Sequence, residues 1–322
     1  MKILITGGLG YIGSHIANLL NDKAIILDNC SNSNLNFKKY LPNANVYKSD
    51  LNAKSLNRIF NKHNIKGVIH LAGLKAVNES VRNPLKYYRT NVGSSMDLME
   101  SIEKFKINKL IFSSSATVYG NSQKSPLSEK MKLEPVNPYG STKVIIERLI
   151  DDFASKNPNF KAISLRYFNP LGADNEAGLS EQPLGEPQNL MPILLKKIKE
   201  KKNFEIFGNK YNTKDGTCIR DYIHIKDLAV AHILAFRRLT KMKGHTAINL
   251  GLGKGASVLQ IIKLFEKVNN IKVPFTFALP REGDAEKSYA LTLKAKNLIG
   301  WNPIYNYEDM VRDTWRAYLK KK

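Results

Sequence analysis

The chain has 322 residues and carries 50 lysines and arginines against 28 aspartates and glutamates, a formal net charge of +22 at pH 7. Its hydrophobic fraction of 43% is that of a globular protein, and its length allows one large or two modest domains. Two cysteines, Cys30 and Cys218, exclude a disulfide framework. No run approaches the roughly 20 apolar residues of a membrane span, and the opening apolar run is too short for a signal peptide. These features predict a cytoplasmic protein with no membrane partner. The positive charge sits in short scattered clusters (Lys38-Lys39, 196–202, 320–322) without a basic-aromatic RNA motif. That favours a solvated surface and no nucleic-acid partner.

In chain order, residues 2–6 read as a buried parallel strand, 12–20 as a helix and 24–27 as the next strand. Strands at 46–48, 67–71, 109–112 and 162–166 continue the series. Helical periods lie between them, notably at 55–63, 92–105 and 138–155. Strands alternating with helices imply right-handed βαβ units and an α/β fold with a doubly wound parallel sheet. After Asn169 the pattern changes. Residues 170–190 are rich in Gly, Pro, Asn and Glu and read as a long ordered loop over a substrate. A helix is expected at 191–202, a turn-rich lid at 210–216, a second break at 274–283 and helix at the C-terminal end. No internal repeat is visible.

TGGLGYIG, at 6–13, follows a strand and opens a helix. Gly7, Gly10 and Gly13 give G-x-x-G-x-x-G, a variant of the Rossmann fingerprint. Small residues let the backbone approach a pyrophosphate, and the helix N-terminus supplies N–H donors. The glycines alone fit a tight strand–helix turn as well. Asp28 shifts the balance: it ends the second strand about 20 residues on, where an acid takes the adenosine ribose hydroxyls. A carboxylate there repels a 2′-phosphate, and Asn29 follows with no arginine, so the expected cofactor is NAD, not NADP. Asp50 ends the third strand and is expected to face the adenine edge. GVIHLAGLK, at 67–75, puts Leu71, Ala72 and Gly73 at the end of the fourth strand, with Lys75 either reaching a phosphate or ribose or lying in solvent. The chain thus divides into a Rossmann NAD-binding domain, 1–169, and a smaller C-terminal α/β domain, 170–322, mainly for substrate, with some segments returning to the first sheet.

Asn137 suits a helix N-cap and Pro138 the first helical position. In the helix they open, Tyr139 and Lys143 share a face one turn apart. An ammonium and a nicotinamide cation near a phenol should lower its pKa from about 10 toward working pH, where a proton-transfer group works best. Ser115, ending the SSS run, is placed to hydrogen-bond the same reacting oxygen. The expected chemistry is hydride transfer on an alcohol or ketone.

The joint pattern of fingerprint, strand-end acid, strand-end serine and YxxxK resembles the extended short-chain dehydrogenase/reductases. GLKAVNESVRNPLKYY, FSSSATVYG, LRYFNPLGA, NLMP, IFGNKYNTKDGTCIRDYIH and REGD are, more specifically, similar to UDP-galactose (UDP-glucose) 4-epimerases over almost the whole chain. The resemblance implies a tightly held, recycled NAD, a UDP-hexose substrate and a homodimer. It implies that Tyr139 takes the proton of the sugar 4-hydroxyl and returns it, that Lys143 grips the nicotinamide ribose, and that Ser115 and Thr117 assist. Tyr11, Ile12, Ser31, Asn32, Ser33, Leu51, Asn91 and Phe168 join the cofactor set. Asn169, Asn189, Leu190, Phe207, Arg220, Arg281 and Asp284 match positions that hold UDP, although Arg220 with Asp221 is also read as a plain salt bridge. Ser288, four residues after Asp284, stands where glucose-only relatives carry a bulky tyrosine, which points to UDP-GlcNAc and UDP-GalNAc as further substrates. Tyr289 next to it leaves the register open. Two other readings compete: a nucleotide-sugar dehydratase or reductase, disfavoured because Ala116-Thr117 and not an acid follow Ser115, and a non-catalytic NAD-binding sensor or nucleic-acid binder, disfavoured because the Tyr/Lys pair is kept.

Overall fold

The computed structural model describes residues 2–33, 35–121, 124–281 and 283–320; Glu282 of the REGD segment and the last two lysines of the 320–322 cluster lie outside them. Strands β1 (Lys2–Thr6), β2 (Ala24–Asp28), β3 (Asn45–Lys48), β4 (Ile65–His70), β5 (Lys109–Ser115) and β6 (Lys161–Tyr167) come first. Shorter strands follow: β7 (Asn169–Leu171), β8 (Ala173–Asp174), β9 (Leu179–Ser180), β10 (Phe204–Phe207) and β11 (Ile219–His224). β12 (Gly244–Leu250), β13 (Gly255–Ser257), β14 (Phe275–Ala278) and β15 (Lys287–Ser288) complete the set. The main sheet runs β12-β6-β5-β4-β1-β2-β3, parallel throughout.

Side chains alternate across each strand, so a sheet covered on both faces needs nearly continuous apolar strands. KILIT in β1 meets that need. Ile3 and Ile5 join Ile26, Ile69 and Ile111 on the face covered by helices Tyr11–Leu20 and Ile225–Arg238. Leu4 joins Ile25, Val68, Leu110 and Phe112 on the other face, under helices Ala53–Lys62, Ser94–Lys104 and Pro138–Lys156. Each such side chain contributes about 1.5–3 kcal/mol on burial. β1 lies between β4 and β2, and the order reverses there. That reversal opens a crevice at the carboxyl ends of the strands, the place where such sheets bind ligands.

β12 and helix Ile225–Arg238 lie beyond residue 169 in sequence but complete the sheet and its covering layer. The remaining C-terminal elements build a separate apolar cluster around Leu194, Phe204, Ile206, Tyr222, Phe265 and Val311. There β10 pairs with β14, and β11 is flanked by β7, β13 and β15.

Three local expectations change. The helix at 92–105 is preceded by a π-helical stretch, Tyr88–Gly93, which turns Asn91 into the protein interior. The ordered loop expected at 170–190 contains a strand pair, β8 and β9, antiparallel to each other. The break at 274–283 contains β14. Strands of two to four residues are too short for period-two alternation to announce them.

Candidate active site

The glycine turn is set by close approach. Gly7 has φ +70°, and a Cβ on it would lie 2.8 Å from the Ala72 nitrogen; one on Gly13 would lie 2.3 Å from the Gly7 oxygen. Gly10 caps the helix Tyr11–Leu20 without a side-chain hydrogen bond, so the first-turn N–H groups keep their capacity for an anion. Asp28 anchors this turn: Oδ2 accepts from the Leu9 N–H at 2.9 Å and Oδ1 from the Cys30 N–H at 2.8 Å. Ser33 adds a hydrogen bond from its hydroxyl to the Leu9 carbonyl at 2.6 Å.

Asp50 lies two residues past the end of β3 and not on the strand; its Oδ1 accepts from Asn29 Nδ2 at 2.8 Å. Ser31 and Asn32 are exposed, Ile12 packs partly buried on one sheet face, and Leu51 packs partly buried against the apolar cluster on the other. Ala72 and Gly73 follow β4, with the Ala72 N–H on Thr6 Oγ1 at 3.3 Å. Asn91 spends its side chain on the protein. Its Oδ1 accepts from the Leu74 N–H at 2.7 Å, and its Nδ2 donates to the Leu74 carbonyl at 3.0 Å and to Thr142 Oγ1 at 3.2 Å. It clasps the loop after β4 to the Tyr139 helix. Phe168 is buried with Val118, Tyr119 and Leu127. Lys75 is salt-bridged to Glu181, Nζ to Oε1 at 3.1 Å. An uncapped helix start, an anchored carboxylate at the end of β2 and small residues after β4 fit NAD, and the neutral Asn29 offers no partner for a 2′-phosphate.

Asn137 Oδ1 accepts from the Gly140 N–H at 2.8 Å and starts the helix Pro138–Lys156. Lys143 is buried; its Nζ donates to the Ser113 carbonyl at 2.7 Å and lies 5.7 Å from the Tyr139 ring centroid. Burial pushes this ammonium down to about 8, while Glu147 one turn further on pulls it back up. Glu147 Oε2 sits 2.5 Å from Arg166 Nη2, and its Oε1 accepts from Ser114 Oγ at 2.5 Å; Arg166 also donates to the Tyr119 hydroxyl at 3.0 Å.

The expected lowering of the Tyr139 phenol counts on the nicotinamide cation as well as on Lys143. Burial raises the phenol above the ordinary value, and the hydrogen bond from Ser115 only partly offsets this. Lys143 gives its hydrogen bond to Ser113 and not to the phenol, so within the chain alone desolvation wins. Ser115 Oγ in turn accepts from the Thr117 N–H at 3.2 Å and from Thr117 Oγ1 at 3.0 Å, which places Thr117 behind Ser115.

A cavity of about 550 Å³ opens among the C-terminal elements, with Tyr11 the lining residue from the first turn, and is lined by Asn169, Asn189, Leu190, Phe207, Arg220, Arg281 and Asp284. Tyr139, Ser115 and Ser288 do not line it. The Arg281 guanidinium stacks 3.9 Å from the Phe207 ring centroid. Arg220 does not pair with Asp221: its Nη2 reaches Asp284 Oδ1 at 3.3 Å, and Nη1 donates to the Ala285 carbonyl at 2.7 Å. Asp221 is buried and accepts from the Leu252, Gly253 and Ala290 N–H groups at 2.7, 3.0 and 3.0 Å. Ser288 pairs with Arg220 across the parallel β11–β15 ladder, so the two side chains share a face. Tyr289 turns the other way and donates to the Ser125 carbonyl at 3.4 Å. Sequence reasoning missed Glu181 and Glu147. Glu147 was detectable, being four residues after Lys143 and on the same helical face; Glu181 lies in an aperiodic loop and had no signal.

A Rossmann sheet with an NAD-compatible turn beside a Tyr-x-x-x-Lys helix defines an NAD-dependent enzyme of the short-chain dehydrogenase/reductase class. The model of the NAD dependent epimerase/dehydratase family matches residues 3–251. The chain is 43% identical to the UDP-glucose 4-epimerase of Bacillus subtilis (strain 168), over 98% of this chain and 96% of that one. The solved UDP-glucose 4-epimerase from Stenotrophomonas maltophila, with bound NAD and formylated UDP-arabinopyranose, superposes with a TM-score of 0.96 at 36% identity, covering 100% of this chain and 98% of that chain. The one from Bifidobacterium longum, in complex with NAD+ and UDP, gives 0.94 at 37% identity, covering 99% and 98%. The chain belongs to the UDP-glucose 4-epimerases, NAD-dependent isomerases that invert UDP-hexoses at C4. Among the described residues no helix is long and apolar enough to cross a membrane.

Proposed function

We propose that Tyr139 is the acid–base group of C4 epimerisation of UDP-glucose and UDP-galactose, with Ser115 as its hydroxyl partner and Lys143 as the cation that holds the cofactor ribose. The observation that carries this is the Tyr139 phenol hydrogen-bonded to Ser115, with the buried Lys143 ammonium 5.7 Å from its ring centre. NAD, when bound, supplies the hydride acceptor and then the donor, so net redox change is zero. Tyr139 takes the 4-hydroxyl proton as hydride leaves C4, and returns it once the 4-keto sugar has presented its other face. Ser115 fixes the oxygen, and Thr117 fixes Ser115. Leu190, Phe207, Arg220, Arg281 and Asp284 hold UDP, and Asn189 opens the helix that carries Leu190. Two guanidiniums suit a diphosphate, and the Arg281–Phe207 stack suits a base. Incubating the purified protein with UDP-glucose, UDP-galactose, UDP-GlcNAc and UDP-GalNAc, without added NAD, tests the whole reading. C4 epimers should form on NAD carried through purification; none forming sinks it.

Acetamido sugars belong to the proposal because Ser288 shares the face of Arg220 while Tyr289 is turned to Ser125. A homodimer belongs to it because the packed helices around 77–104 and 138–156 leave Val81, Leu85, Met96 and Ile145 exposed. Light scattering at twice 36.3 kDa would support it. We also propose a cytoplasmic protein whose basic surface serves solubility and not nucleic-acid binding.

A further inference from the structure

One acidic side chain joins the two halves of the site. Glu181 Oε1 accepts both from Lys75 Nζ, at 3.1 Å, and from Asn189 Nδ2, at 2.6 Å, and its side chain is 11% exposed on the wall of the UDP cavity. Lys75 comes from the loop after β4, on the cofactor side. Asn189 is the N-cap of the helix Leu190–Glu200, on the UDP side.

Asparagine is among the best N-caps because its oxygen accepts from the first-turn N–H groups, a contribution of about 1 kcal/mol. Asn189 makes no such bond. Its amide is turned to Glu181, so the N–H groups of Leu190 and Met191, which have no intrahelical acceptor, are not consumed by the cap. Both residues line the cavity, and Pro192 beside them has no N–H to offer. A carboxylate on the wall of a diphosphate cavity would also repel its ligand, and Lys75 neutralises that charge.

We propose that Glu181 is a positioning residue for the UDP-sugar: it holds Asn189 off its own helix so that the helix N-terminus stays open to the diphosphate, and ties that helix to Lys75. The inference rests on the assignment of UDP to this cavity.

The test uses the NAD-loaded enzyme and reads kcat and KM for UDP-glucose together with the Kd of UDP. Glu181→Ala releases Asn189 to cap the helix. KM and the UDP Kd should rise about tenfold, kcat should stay within threefold, and the melting temperature should hold or rise. Glu181→Gln keeps an acceptor for Asn189 and should return KM to within threefold of the parent. Adding Asn189→Ala to Glu181→Ala removes the cap and should lower KM below that of Glu181→Ala, a sign reversal that a general loosening of the loop would not produce. An unchanged KM in Glu181→Ala, a loss confined to kcat, or additive losses in the double variant each overturn the proposal. Arg281→Ala serves as the reference: if it too leaves the UDP Kd unaltered, the cavity assignment has failed and not Glu181 alone.

Discussion

The ammonium of Lys143 lies 5.7 Å from the centre of the Tyr139 ring, yet donates its 2.7 Å hydrogen bond to the carbonyl of Ser113. Lysine and tyrosine are thus held in register by the end of β5, the strand that carries Ser115. Burial in turn lowers the pKa of the lysine itself.

A pH profile should expose that lowering. With its pKa lowered to about 8, Lys143 loses its proton as pH rises through that value, so kcat/KM should fall on the alkaline side with an apparent pKa near 8. Lys143→Met should remove this limb along with most of the activity. Tyr139→Phe should lower kcat roughly 10²–10⁴-fold with KM changed only a few-fold. Initial rates from pH 6 to about 10 check both.

The ion pair of Glu147 and Arg166 is almost wholly buried, with 6% exposure on each side chain. Removing either partner strands a charge in the core, and Arg166→Ala should cost about 3–5 kcal/mol. Replacing both by methionine should recover much of that loss. Thermal melting of the single and double variants shows whether the pair matters more when broken than when absent.

Three buried histidines bear on acid stability. Burial lowers His15 and His232 to about 4 and His70 to about 3. Each is depressed below the ordinary 6.5, so the unfolded chain takes up protons first as pH falls. The stability is fully present above pH 6.5 and is lost as pH drops toward 4, about 1.4 kcal/mol per unit for each histidine. Melting temperature should therefore decline steeply from pH 6.5 to about 4.5, and His232→Leu should flatten the slope.

The proposed tolerance of acetamido sugars is tested at β15. Ser288→Tyr should abolish turnover of UDP-GlcNAc while leaving UDP-glucose within a few-fold of the parent. Equal loss on both sugars would show that Ser288 does not face the second carbon.

Much of the site was readable before the fold. The glycine spacing, the acid that ends the second strand and the Tyr-x-x-x-Lys pair are local patterns of residue type and spacing, legible without knowing the distant groups they meet. The strand pattern of the first 169 residues is equally local, because a sheet covered on both faces demands continuous apolar runs. That β12 joins this sheet was not local, since its partner β6 lies far back in the sequence.

By itself, then, the sequence determined the doubly wound sheet, the NAD turn and the placing of Tyr139 and Lys143 on one helical face, all of which depend on short-range periodicity and steric demand. Only the tertiary structure decided where charges go. It gave Arg220 to Asp284 and not to Asp221, turned Ser288 and Tyr289 to opposite faces, and set Glu181 between Lys75 and Asn189. Burial and ion pairing depend on residues distant in sequence, and no local pattern encodes which of them will meet.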